Sequence, residues 1–147
     1  MWVLPFHHLQ VCFSCYAVVA VQLLEFEYAR QYRPMRFSVR QVVDCTPWHC
    51  QGGTMEDTME FMRTRSVVPE HVYRGQCDGV GVRVAYEIET ATPERIRELL
   101  KRGPVGVGHG DHMEVLLGYD GEWVYANRRS AEVGSHVVRV TDVIPYI

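Results

Sequence analysis

From Cys15 to Leu24 the chain runs Cys-Tyr-Ala-Val-Val-Ala-Val-Gln-Leu-Leu, and Gln22 is its one polar residue. A helix that is apolar all the way round has to be buried on nearly every side. Val18, Val19 and Val21 would also suit a strand. Apolar character persists through Phe26 and Tyr28, however, while Glu25, Glu27 and Arg30 enter late. That length predicts a buried helix of about 15 residues. Ser14 stands where an N-cap belongs, which puts Cys15 in the first turn. Unpaired N–H groups and the helix dipole favour an anion there, and a thiolate is such an anion.

Further along, Arg30-Gln-Tyr-Arg-Pro34 ends this helix, because proline cannot continue it. Ser38-Val-Arg-Gln41 has the form of a capping box and opens a short helix through Val42 and Val43. Asp44 to Gly53 is a loop by its Pro and Gly content. Thr54 then caps a helix with Glu56 and Asp57 in its first turn and Met55, Met59 and Met62 as its apolar stripe. Residues 66–81 read as irregular. Beyond them the period changes to two: Val82, Val84, Tyr86 and Ile88 alternate with Arg83, Glu87 and Glu89, as in a half-buried strand. Thr92-Pro93 starts a helix that Gly103 stops. Strand-like runs follow at Met113–Tyr119, Trp123–Ala126 and His136–Ile144. The chain is expected to be α+β: a helical half over 1–80 and a β-rich half over 81–147 of a single domain.

Composition narrows the functional classes. At 147 residues and 47% hydrophobic, the chain can bury one real core. A net charge of −3, with both signs scattered, suggests neither nucleic acid nor an anionic membrane as partner. No apolar run reaches the roughly 18 residues needed to span a bilayer. Met1 to Phe6 is too short for a signal-peptide core and lacks a basic leader. The chain is therefore expected to be a mature or truncated piece, or not to be secreted. Five cysteines, at 12, 15, 45, 50 and 77, leave one thiol over after any internal pairing.

Several stretches, in order, resemble papain-like cysteine proteases. Cys12-Phe13-Ser14-Cys15-Tyr16 is similar to that family's C-G-S-C-W, whose second cysteine is catalytic. Phe37-Ser-Val-Arg-Gln-Val-Val-Asp-Cys45 is similar to L-S-E-Q-E-L-V-D-C, and Cys50-Gln-Gly-Gly53-Thr-Met55 to C-N-G-G-x-M. Tyr73-Arg-Gly75-Gln-Cys77 resembles the tyrosine, glycine and cysteine that follow. Leu99 to Val107 resembles a helix running into G-P-V-x-V. Asp111-His112 with Val115-Leu-Leu-Gly-Tyr119 resembles D-H-A-V-x-x-V-G-Y. Trp123-Val-Tyr-Ala-Asn127 resembles the strand that delivers the family's asparagine. The resemblance spans residues 12–141.

It implies a helical lobe facing an antiparallel β-barrel-like lobe, shortened here, with the active site in the cleft between them. It also implies disulfides Cys12–Cys50 and Cys45–Cys77, leaving Cys15 free. Each would close a loop of some 30–40 residues, which chain entropy values at roughly 3–4 kcal/mol. Cys15 would be the nucleophile of a peptidase working through a thioester intermediate. His112 would be its acid–base partner and Asn127 the group orienting the imidazole. Gly52 and Gly53, with Asp111, would line the substrate cleft, glycine letting a peptide backbone approach. The Cys15 N–H and a glutamine side chain would hold the oxyanion. The family's glutamine falls at Leu9 here, so Gln10 would have to serve. Such an enzyme is expected to need no cofactor and no metal. It would act as a monomer on peptide or protein substrates, be open to protein inhibitors of cysteine proteases, and belong to the secretory pathway, lysosome, vacuole or cell exterior.

The chain departs from the family at Phe13, at Tyr16, and at Asn127-Arg128-Arg129-Ser130 in place of N-S-W-G. Only 97 residues separate Cys15 from His112, against the family's interval of about 130–150. The shortfall is concentrated between Val107 and Asp111. These departures keep a second reading open, a papain-like homologue with an impaired site that acts as a binding protein. Two further classes compete. One is a thioredoxin-like protein built on Cys12-x-x-Cys15, although Pro5 to Gln10 makes a poor preceding strand. The other is a zinc site from Cys12, Cys15, Cys45 and Cys50 with nearby histidines.

Overall fold

A computed structural model describes residues 1–10, 14–47, 51, 53–78, 80–109 and 112–145. Four α-helices, α1 (Cys15–Gln31), α2 (Val39–Cys45), α3 (Met55–Thr64) and α4 (Pro93–Leu99), join six strands. The strands are β1 (Arg83–Thr90), β2 (Val105–His109), β3 (His112–Tyr119), β4 (Trp123–Tyr125), β5 (Arg129–Ser130) and β6 (His136–Ile144). The α+β architecture follows the sequence reading, with the helical part first.

The helix starts obey local chemistry. Ser38 accepts a hydrogen bond from the Gln41 N–H, Thr54 from Asp57 and Thr92 from Arg95, with Pro93 in the first turn of α4. The expected capping box at Ser38 is only half made. The Gln41 side chain, fully buried, donates to the Ser66 and Gln76 carbonyls and accepts from the Val68 N–H. It pins the irregular segment after α3 instead of closing its own helix.

α1 is buried from Tyr16 through Glu25 and again at Tyr28, because it is covered on two sides. Tyr16, Ala17, Val21, Leu24 and Tyr28 pack with Phe37, Val42, Phe61 and Met62. Val19, Ala20 and Leu23 pack with Met55 and with Val115 and Val138 of the sheet. At about 25 cal/mol per Å², this two-sided burial makes α1 the central member of the core.

The sheet is antiparallel, in the order β1-β6-β2-β3-β4-β5. The expected shortened, barrel-like lobe takes the form of an antiparallel sheet that is not closed: among the described residues it ends at β1 and at the two-residue β5. The second face of the sheet packs Val105, Val107, Leu116, Trp123, Tyr125 and Val137 against Ile96, Leu99 and Leu100. β2 carries Gly106 and Gly108, residues that disfavour strands. A Cβ on Gly106 would lie 2.8 Å from Val19 Cγ1, so α1 rests directly on that strand. Among the expected disulfides, Cys45–Cys77 is formed, with its Cα atoms 5.5 Å apart. The expected Cys12–Cys50 pair lies outside the described residues.

Candidate active site

Cys15 is the first residue of α1, partly exposed, and the one free cysteine among the described residues. Ser14, buried, sits at the N-cap position, but its hydroxyl does not cap the helix. The turn is closed by its carbonyl, which accepts from the Ala17 and Val18 N–H groups at 3.0 and 3.1 Å. The N–H of a first-turn residue such as Cys15 has no partner within its own helix, so it is available to an oxyanion. Behind the thiol, Tyr16 is buried with its hydroxyl 3.2 Å from Thr46 Oγ1. Burial pushes its phenol above the ordinary range.

The helix and the sheet set where this thiol lies. Phe26, Glu27 and Arg30 lie against Gly103, while Val19 and Leu23 lie against Gly106, so α1 runs antiparallel to β2. About 1.5 Å per helical residue and about 3.3 Å per strand residue make six or seven helix positions match three strand positions. Three positions beyond Gly106 is His109, the last residue of β2, and the same step along the helix reaches its start. Extrapolated along the helix axis, Cys15 comes to about the level of the β2–β3 hairpin, in which His109 pairs with His112.

His112 opens β3. Its side chain is 46% exposed, and Nε2 lies 3.8 Å from Glu114 Oε1. No hydrogen bond links the ring to Cys15 Sγ. Strand alternation puts His112, Glu114 and Leu116 on the α4 side of the sheet, and Met113, Val115 and Leu117 toward α1. Glu114 is buried, its side chain 5% exposed, and Arg128 holds it: Nε is 3.1 Å from each carboxylate oxygen and Nη2 is 2.6 Å from Oε2. The Arg128 guanidinium also lies 4.7 Å from the Tyr125 ring centre. Arg129 makes a second fork, to Asp120 at 2.8 and 2.9 Å. Both cations of the Arg128-Arg129 departure are therefore paired with carboxylates.

Asn127 is exposed, in the tight turn between β4 and β5 that the Tyr125 N–H closes onto the Arg128 carbonyl. Gln10 is exposed on the segment leading to α1, next to exposed Leu9. Gly53 is packed against Tyr16: a Cβ there would come within 2.8 Å of the ring. That close approach is a structural reason for glycine beside the expected cleft role. Gly52 and Asp111 lie outside the described residues. A groove of about 610 Å³ opens beside Ser14, bordered by His8, Leu9, Ser38, Val43 and Tyr73.

Two acidic residues were not singled out in the sequence. Glu114 carried a legible signal, a charge two residues after His112 on a strand that is otherwise apolar. Glu25 gave none. It is fully buried, accepts from His8 Nε2 at 2.9 Å through both oxygens, and accepts from the Phe37 N–H at 2.8 Å. The zinc reading fails at Cys45, which the disulfide to Cys77 removes from any ligand set.

Comparison with known proteins bears on the whole chain. A family model described as papain family cysteine protease matches residues 1–140. No curated protein sequence matches significantly. Among solved structures, the Amb a 11 cysteine protease, a major ragweed pollen allergen, in its proform, aligns with a TM-score of 0.70 at 21% identity. That alignment covers 88% of this chain and 58% of the other. A structure from work on the mite allergens Blo t 1 and Der p 1 aligns at 0.70 and 18% identity, over 89% of this chain and 64% of that one. The Carica candamarcensis cysteine protease CMS1MS2, solved in complex with E-64, aligns at 0.69 and 16% identity, over 89% of each chain. This chain thus spans about three-fifths of the length of the ragweed and mite proteins. These identities establish the shared fold, while the family rests on the match along nearly the full chain. The thioredoxin-like alternative is thereby overturned, and this chain belongs to the papain family of cysteine proteases.

Proposed function

We propose that this chain is a cysteine-type endopeptidase in which Cys15 and His112 carry the chemistry. The Cys15 thiolate attacks the scissile carbonyl carbon, and the carbonyl electrons move onto oxygen. The Cys15 N–H receives that oxyanion, with Gln10 as the candidate second donor. As the C–N bond breaks, the His112 imidazolium gives its proton to the departing amine and a thioester remains. Water, losing a proton to His112, then cleaves the thioester and restores the thiol. No cofactor or metal enters these steps. Gly52, Gly53 and Asp111 are the proposed cleft wall. Asn127 and Glu114 are the two claimants for orienting the imidazole.

What supports this reading is a free, partly exposed thiol at the head of α1 in a papain-family chain, with helix and strand rises bringing the hairpin that bears His112 to about that level. Peptide or protein substrates, and protein inhibitors of such enzymes, are the corresponding partners of a monomer. The Cys45–Cys77 disulfide fits the secretory route, lysosome, vacuole or cell exterior. A second reading, an impaired homologue acting as a binding protein, is favoured by the absence of a Cys15–His112 hydrogen bond and by exposed Leu9 at the oxyanion glutamine's position. The deciding experiment is covalent capture by an epoxysuccinyl inhibitor, read by intact mass, with turnover of a fluorogenic peptide mixture. Capture at Cys15 and turnover that Cys15→Ala reduces by at least about 10³-fold are expected. An unlabelled wild-type thiol with no turnover would leave the binding-protein reading.

A further inference from the structure

We propose that Glu114, clamped by Arg128, is the positioning residue for the His112 imidazole, in the role expected of Asn127. This rests on the proposed function, since it assigns a partner to the same histidine.

Geometry separates the two claimants. Asn127 is exposed in a turn, and no hydrogen bond of its side chain occurs among the described residues. Glu114 is two residues from His112 on one strand, so the two side chains share a face. Its carboxylate is the group that Nε2 faces, at 3.8 Å. Because the ring nitrogens lie on different edges of the imidazole, Nε2 turned toward Glu114 leaves Nδ1 unengaged by that carboxylate. Since His112 stands on the α4 side of the sheet, the ring meets the thiol at the head of α1 by turning round the end of β3. At 3.8 Å the contact is longer than a hydrogen bond. A half-exposed ring can close that gap by a small rotation, and catalytic hydrogen bonds often tighten only with substrate bound.

The carboxylate is fixed as well as near. A guanidinium fork sets both its position and its plane, and Tyr125 lies beneath that fork. Among the described residues the charged group recorded against the ring is Glu114; behind that carboxylate lie Arg128 and Tyr125, while Arg129 is paired with Asp120. Burying a carboxylate is costly unless it is paired, and Arg128 is that pair.

Two departures from the family pattern meet here. Glu114 stands where D-H-A-V has valine, and Arg128 follows the asparagine of N-S-W-G. Each alone looks like damage to the site. Joined at 2.6 Å, they are one device, with the acid placed by the base. In the ion-paired state the imidazolium would face a carboxylate instead of a neutral amide.

The test compares Glu114→Gln, Glu114→Asp and Asn127→Ala in the full chain, by kcat and KM on a peptide substrate and by the alkylation rate of Cys15 with iodoacetamide at pH 6. Glu114→Gln is expected to lower both kcat and alkylation by at least about tenfold, with KM within about twofold. Glu114→Asp, which keeps the charge, should recover part of the loss, and Asn127→Ala should lose less than about threefold. If Glu114→Gln does not melt cooperatively, Arg128→Lys decides. A kcat several-fold below wild type at unchanged KM supports the assignment, and a wild-type kcat overturns it. Reactive wild type with equally reactive Glu114→Gln, or a larger loss in Asn127→Ala, overturns this assignment alone. A wild-type Cys15 no faster than an ordinary thiol overturns the proposed function and this assignment with it.

Discussion

Two histidine–glutamate pairs stand at opposite extremes in this molecule. His8 and Glu25 are shut inside, their side chains 4% and 0% exposed and 2.9 Å apart, with the Phe37 N–H completing the carboxylate's bonding. His112 and Glu114 sit at the sheet's end, 3.8 Å apart, with the imidazole half in water and only the acid buried. The same residue types do different work because their surroundings differ. Inside, every oxygen is satisfied and the pair fixes the N-terminal segment to α1. At the rim, the histidine keeps a free edge, and the acid is held by an arginine that leaves it able to face a second group. A proton carrier needs that free edge; a brace does not.

The two pairs should differ most in what they contribute to stability. His8→Ala leaves a fully buried carboxylate with one backbone donor, and it is expected to cost about 3–5 kcal/mol. His112→Ala removes an exposed ring and should cost under about 0.5 kcal/mol. Denaturant midpoints of the two variants decide the matter, and equal losses would mean that the pairs are not distinct. Next in size is the disulfide. Cys45→Ser with Cys77→Ser opens a loop of 32 residues and should cost about 3–4 kcal/mol by loop entropy, while an epoxysuccinyl inhibitor should still label Cys15.

The smallest effect is alkaline. Burial pushes the Tyr125 phenol up to about 12, above the ordinary value near 10. A raised folded value means that this stabilisation is whole below about pH 10 and is lost as pH rises toward about 12. The loss is of the order of 2 kcal/mol. Tyr125→Phe should flatten that limb of the stability curve, and an unchanged limb would assign it to other groups.

Much of this was legible in the chain. Caps at Ser38, Thr54 and Thr92 gave the helix starts because a hydroxyl accepting from a nearby N–H is a local interaction. The unbroken apolar run gave α1, since a helix covered on both sides needs no polar face. Period-two alternation gave β1, and strand-like runs bounded by turns gave β3, β4 and β6. β2 was missed because its glycines look like loop chemistry. Gly106 is required by α1 pressing on it, a tertiary contact that no local pattern records. That the sheet stays open was also beyond local reading, since closure depends on how far the last strands extend. At the site, Cys15 and His112 came from the family resemblance. The Glu114–Arg128 clamp needed coordinates, because neither partner announces the other across 14 positions of sequence.

The central claim is that the thiol heading α1 is activated by the imidazole at the start of β3. The direct measurement is the rate at which iodoacetamide alkylates Cys15 at pH 6, read by intact mass in the wild type and in His112→Ala. A wild-type rate at least about tenfold above that of His112→Ala is predicted; equal rates in the two proteins would contradict it.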